Sequence, residues 1–185
     1  MAVKAIVLLA EGFEDVEAAT PIDYLRRAGA EVTVAAVGGG RSVRSSRGLV
    51  VVADALLADL DAGAAWDAVV LPGGLPGAAN LAASPAVRAL ALSAAASGRL
   101  VAAICAAPAV ALQAFGLLAG RRYTCAPGKE AGVADGTWSD ERVVVDGNIV
   151  TSRGAGTAGE WAAAIVACLF GPAAAAELRR SVLLD

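Results

Sequence analysis

The chain has 185 residues, 57% of them apolar, with 15 Lys and Arg against 18 Asp and Glu and a formal net charge of −3. The scattered basic residues and few aromatics exclude a nucleic-acid groove or a base-stacking platform, and charged residues interrupt the apolar runs before any reaches the ~18 residues of a membrane span. The length suits one domain, residues 1–185, with a substantial core. Residues 3–10, VKAIVLLA, read as a buried parallel strand. The stretch MAVKAIVLLAEGFED offers no small-residue cleavage site before Glu11, Glu14 and Asp15, so no signal peptide and a cytoplasmic location are expected. From Glu14 the pattern turns helical, with Val16, Ala19, Ile22 and Leu25 on one face and Gly29 as the stop. Residues 31–37 and 49–53 read as strands on either side of the Gly38-Gly39-Gly40 loop. Residues 66–74, WDAVVLPGG, read as a strand ending in a glycine loop.

Residues 84–97 form the next helix, with Pro85 in its first turn and Gly98 as its stop. The run 100–104, LVAAI, is a strand, and Cys105 follows it directly. Residues 106–115 read as a helix and 121–125 as a short strand. Residues 142–151 carry an Asp146-Gly147 turn between two β-rich runs, a hairpin signal. Helices over 156–169 and 172–180 complete the chain. Strands alternating with helices imply a doubly wound, mostly parallel α/β sheet sandwiched by helices. Ligands in such sheets bind beyond the carboxyl ends of the strands. The segments 11–17, 72–77 and 105–108 fall at that edge.

Three cysteines, Cys105, Cys125 and Cys168, are an odd number without CxxC spacing, so neither a disulfide framework nor a zinc site is indicated. There is no histidine, which removes every Ser-His or Cys-His mechanism supplied by this chain alone. In AAICAAPA, a strand meets a helix at Cys105, with the small residues Ala103 and Ala107 two before and two after it. That is what a nucleophile elbow requires, and a helix start favours thiolate over thiol. In so alanine-rich a chain the same residues also suit a buried structural cysteine. In EGFEDVE, Glu14 and Asp15 suit the cap of a helix, whereas Glu17 lies among apolar positions that would raise its pKa. LPGGLPGAAN supplies glycines for close backbone approach and N–H groups for an oxyanion, or simply a turn. It is no GxGxxG fingerprint, so no dinucleotide is expected. Arg47 in SSRG and Arg153 in TSRGAGT suit an anion clamp or ordinary surface charge.

Together, LAEGFEDVEAATPIDYLRRAG, VVLPGGLPGAANL, AAICAAPAVAL and VTSRGAGTAGEWA make the chain resemble the ThiJ/PfpI superfamily, in the branch of the parkinsonism-associated DJ-one protein and its bacterial relatives. The resemblance runs nearly end to end. It implies a flavodoxin-like sandwich with a nucleophile elbow, a homodimer, and a reactive Cys105 partnered by a largely protonated Glu17. It also implies an oxyanion site at the backbone N–H groups of Gly74 and Ala106, anion or substrate binding by Arg47 and Arg153, and Arg27 toward the dimer partner. Ala106 stands where the protease-like branch carries a histidine, which argues against peptidase activity. Cys125 and Ala126 stand where a pocket histidine is often found. The implied function is cofactor-free, metal-free detoxification of small reactive carbonyls, of the glyoxalase III or deglycase kind, through a Cys105 hemithioacetal. An oxidative-stress sensor or redox-dependent chaperone using a Cys105 sulfinate is the alternative. Hydrolysis of a reactive acyl or acyl-phosphate metabolite is a further one, and Cys125 is weighed as a resolving thiol against a buried structural role.

Overall fold

The computed structural model describes residues 2–61 and 63–184. Seven strands form the main sheet: β1 (Lys4–Ala10), β2 (Glu31–Val37), β5 (Ala55–Leu56), β6 (Ala68–Leu71), β7 (Leu100–Ile104), β10 (Val143–Asp146) and β11 (Ile149–Ser152). Their spatial order is β10-β11-β7-β6-β1-β2-β5, with every neighbouring pair parallel except β10 against β11. Side chains alternate across it with the period of two that strands impose. On one face, Val7, Leu9, Val34, Val70, Ile104 and Val150 share a buried cluster with Leu25, Trp161 and Leu178. These come from α1 (Asp15–Arg27), α5 (Ala158–Phe170) and α6 (Pro172–Ser181). On the other face, Ile6, Leu8, Val69, Leu71 and Val101 pack with Leu81 and Val87, from α2 (Gly77–Ala83) and α3 (Pro85–Ala96). The result is the expected helix-sheet-helix sandwich. Among the described residues no helix is long and apolar enough to cross a membrane.

The chain runs from β1 to β2 on one side and later returns to β6 on the other, so the order reverses between β1 and β6. Such a reversal splays the loops apart and opens a crevice at the strand ends.

Four local features differ in detail from expectation. The run 49–53 does form a strand, but outside the main sheet. Val50–Val52 (β4) instead pairs antiparallel with Ser42–Arg44 (β3) as a separate hairpin. Its turn is set by Ser45 Oγ, which accepts from the N–H groups of Arg47 and Leu49 and donates to Asp15 Oδ1. The helix expected over 106–115 runs over 107–115, with a π-helical turn over 108–112 and α4 (Gln113–Phe115) at its end. Only Ala106, with Cys105, is taken up by the turn that follows β7. The glycine loop after β6 passes into α2, a helix that its Gly and Pro content conceals. The strand expected at 121–125 shortens to β8 (Arg122–Tyr123), paired with β9 (Thr137–Trp138) apart from the main sheet.

Trp161 is fully buried, and its indole N–H donates to Val150 O at 3.3 Å, tying α5 to β11. Trp161→Ala should lower the unfolding free energy by about 3–5 kcal/mol in urea denaturation, the usual cost of an aromatic-sized core cavity.

Candidate functional site

The chain leaves β7 abruptly. Cys105 has φ 63°, in the left-handed region that non-glycine residues seldom occupy. Neighbours hold it there through both backbone groups: its N–H donates to Ser152 O at 2.9 Å, and its carbonyl accepts from Ala126 N–H at 2.8 Å. Ala103 and Ala107 are completely buried, so side chains larger than methyl would meet the packed core on either side of the turn. This is an elbow in the geometric sense, and it leaves the Cys105 side chain only partly covered.

Glu17 enters from the first turn of α1. It is 1% exposed, among the few buried polar side chains of the fold. Its Oε2 accepts from Gly73 N–H at 2.9 Å, and its carboxyl lies beside the Cys105 thiol, close enough for each to act on the other's proton. Gly73 also accepts from Glu14 N–H through its carbonyl at 3.0 Å. The loop after β6 is thereby laced to the start of α1 at two points. A Cβ on Gly73 would fall 2.6 Å from both Cys105 Cβ and Glu17 Oε2, so the pair can close only over a glycine. Gly74 has φ 88°, and a Cβ there would lie 2.6 Å from Glu14 N. The backbone N–H groups of Gly74 and Ala106 act on the Cys105 sulfur and favour its ionised form.

Burial raises the Glu17 carboxyl from its ordinary 4.5 to about 7; the Glu14 charge adds to this, while the bonds to Cys105 and Gly73 oppose it. Burial, then the Glu17 charge and the hydrogen bond to it, push the Cys105 thiol up to about 12, against the pull of the Gly74 and Ala106 N–H groups. A thiolate favoured by the helix start alone is therefore not what the surroundings produce. The two acids share protons as a pair. With the proton on Glu17 the carboxylate charge is gone, and the sulfur is left facing the Glu17 O–H and two backbone N–H groups.

Cys105, Glu17, Gly74 and Ala106 thus meet at one point. The hydrogen bonds of the arginines run to other groups. Arg47 is exposed in the β3–β4 turn, and its backbone N–H donates to Ser45 Oγ. Arg153 follows β11 and donates to Asp140 O at 2.8 Å, with its charge acting on Cys125. Arg27 is engaged with Asp23 at 2.7 Å. Cys125 is fully buried, and burial pushes its thiol up to about 11. Sequence reasoning missed Gly73, Ser152 and Ala126. The Gly-Gly doublet after a strand was the signal for the first; the others act through backbone atoms and leave no side-chain trace. Among the described residues no group of three or more His, Cys, Asp and Glu side chains stands close enough to hold a metal ion.

The profile of the DJ-1/PfpI family matches residues 3–168. The Parkinson disease protein 7 homolog of Danio rerio is 41% identical over 98% of this chain and 97% of its own. A glutathione-independent glyoxalase of Caenorhabditis elegans is 36% identical over 91% and 90%. The crystal structure of a cysteine-to-alanine mutant of a DJ-1 superfamily protein from Salmonella typhimurium superposes with a TM-score of 0.94, at 41% identity over 98% of both chains.

Two outcomes follow from the pair. The native fold binds the Glu17 proton more tightly than the unfolded chain does, so this stabilisation is full below about pH 4.5 and is lost as pH rises through about 7. From pH 4.5 to 8 the unfolding free energy of wild type should fall by roughly 3 kcal/mol relative to Glu17→Gln. A pH-independent difference would contradict the buried carboxyl. Gly73→Ala should cost about 1–3 kcal/mol in urea unfolding, as overpacking does.

Proposed function

The chain belongs to the DJ-1/PfpI family, and from that premise we propose that its Cys105–Glu17 pair converts small reactive 2-oxoaldehydes to 2-hydroxy acids without a cofactor. The observation that carries the reading is a cysteine held at φ 63° against a fully buried carboxyl. The named activity of the Caenorhabditis elegans relative supports the same class of chemistry.

Methylglyoxal serves as the example. Cys105 thiolate adds to the aldehyde carbon, forming a C–S bond, and the carbonyl electron pair moves onto oxygen. The N–H groups of Gly74 and Ala106 face the sulfur and suit a developing oxyanion beside it. Protonated Glu17 gives its proton to that oxygen, completing the hemithioacetal. The Glu17 carboxylate then takes the proton from the former aldehyde carbon, and the hemithioacetal hydroxyl proton passes to the adjacent ketone oxygen, leaving an enediolate. Glu17 returns its proton to the second carbon as the first carbon–oxygen bond becomes a carbonyl, which yields a lactate thioester on Cys105. Water cleaves it, releasing lactate and restoring the thiol, so the sum is methylglyoxal plus water to lactate. A carboxyl near 7 is poised to act in both directions at neutral pH.

The donors that face the sulfur also suit a Cys105 sulfinate, which supports a redox-sensing role as the second reading. Arg47 is exposed and Arg153 is hydrogen-bonded to Asp140, so the acyl-phosphate reading, which needs them on an anion, has less support. The homodimer is part of the proposal. Leu49 is exposed at a cavity of about 260 Å³ between α1 and β4, and Val16, Val50 and Val52 are exposed on the same two elements, apolar surface suited to a second copy of the chain.

Lactate formation from methylglyoxal should fall at least about 100-fold in Cys105→Ser and in Glu17→Gln, the scale of losing a nucleophile or a general base. Equal turnover in all three proteins would end the reading. In sedimentation, wild type should run as a dimer and Val52→Asp as a monomer; identical sedimentation of the two would remove this face from the interface.

A further inference from the structure

Glu14 caps α1. Its Oε2 accepts from Glu17 N–H at 2.8 Å, and its own N–H donates to Gly73 O at 3.0 Å. Capping calls for an oxygen acceptor, which short side chains such as Ser, Asp and Asn supply most readily. The capped amide is the one belonging to Glu17, so the Glu14 carboxylate is pinned beside the residue whose carboxyl is buried against Cys105. Glu14 is itself only half-buried, so solvent and salt partly screen its charge.

The groups that face the Glu17 carboxyl come from three elements: Gly73 N–H from the loop after β6, Cys105 from the elbow after β7, and the Glu14 charge from its own helix. Asp15, the next acid along, accepts from Ser45 Oγ. Arg153, past β11, is bound to Asp140. The cap bond places the Glu14 carboxylate on the Glu17 side of the pair, so its charge acts directly on Glu17 and favours the proton there.

We infer that Glu14 is a positioning residue for the pair: its cap fixes where α1 begins, and its negative charge holds the shared proton on Glu17 so that charge can reside on sulfur. This rests on the Cys105–Glu17 reading proposed above.

Glu14→Gln keeps an oxygen acceptor for Glu17 N–H and removes the charge, whereas Glu14→Ala removes both. The readout is the pH profile of Cys105 alkylation by iodoacetamide, with thermal unfolding alongside to follow the cap. The inflection near pH 7 should move down by about half a pH unit in Glu14→Gln with little change in melting temperature, the scale of removing one charge a few ångström away through a water-like dielectric. That difference should shrink in about 1 M salt. Glu14→Ala should show the same move together with a lower melting temperature. A wild-type inflection in Glu14→Gln would reduce Glu14 to a plain cap and overturn the inference. Glu17→Gln separates the two levels of the argument. If the inflection survives that substitution, the pair reading fails and takes the inference with it; if it vanishes there but stands unmoved in Glu14→Gln, only the role of Glu14 fails.

Discussion

One buried hydrogen-bonded carboxyl organises the whole C-terminal edge of the sheet. Glu17 is almost free of solvent, and it reaches two partners from different parts of the chain, Gly73 N–H and the Cys105 thiol. Burying an ionised carboxylate is costly, so the group meets the low dielectric by keeping its proton. The strained cysteine, the glycine doublet and the first turn of α1 are all shaped around that proton. Cys105 is pinned by Ser152 and Ala126, Gly73 gives up its side chain, and Glu14 closes the helix end over Glu17.

The doubly wound topology explains why these parts meet. β1, β6 and β7 are adjacent in the sheet, although their residues lie far apart in the sequence. The loop after each delivers one component: the carboxyl, the glycine N–H groups and the thiol. The strands beneath are buried on both faces by two separate apolar clusters, which fixes their ends relative to one another. Packed interiors deform little, so the contacts among three remote segments keep their spacing.

Much of this was legible in the residues. Continuous apolar runs gave β1, β2, β6 and β7, because strands buried on both faces carry no polar alternation to confuse them. The Asp146-Gly147 turn gave the β10–β11 hairpin. Cys105 and Glu17 emerged once four separated motifs were taken together; neither stood out alone in a chain so rich in alanine. The errors have physical causes. Val50–Val52 has the composition of a sheet strand, yet the turn around Ser45 folds it back on Ser42–Arg44, and short-range patterning cannot choose between those partners. α2 follows a Gly-Gly-Leu-Pro-Gly stretch that reads as loop, because close approach to Gly12 and Phe13 selects glycine there for reasons unrelated to helix propensity. The direction of the Cys105 shift was also hidden: a helix start argues for a low value, and burial, with the neighbouring carboxyl adding to it, outweighs that.

The lacing of three loops to central strands has a consequence for how the site is lost. Regions that open by local fluctuation are those with few buried contacts, typically termini and exposed loops. Here every polar link to Cys105 or Glu17 begins within a few residues of a strand or helix end that is packed in the core. Fraying of the hairpin at 42–52 or of α6 leaves those links untouched. Separating Glu17 from Cys105 requires the ends of β1, β6 and β7 to part, which amounts to breaking the sheet at its middle. The Cys105–Glu17 site therefore belongs to the most protected cooperative unit of the molecule, and its amide protons should be among the last to exchange with solvent.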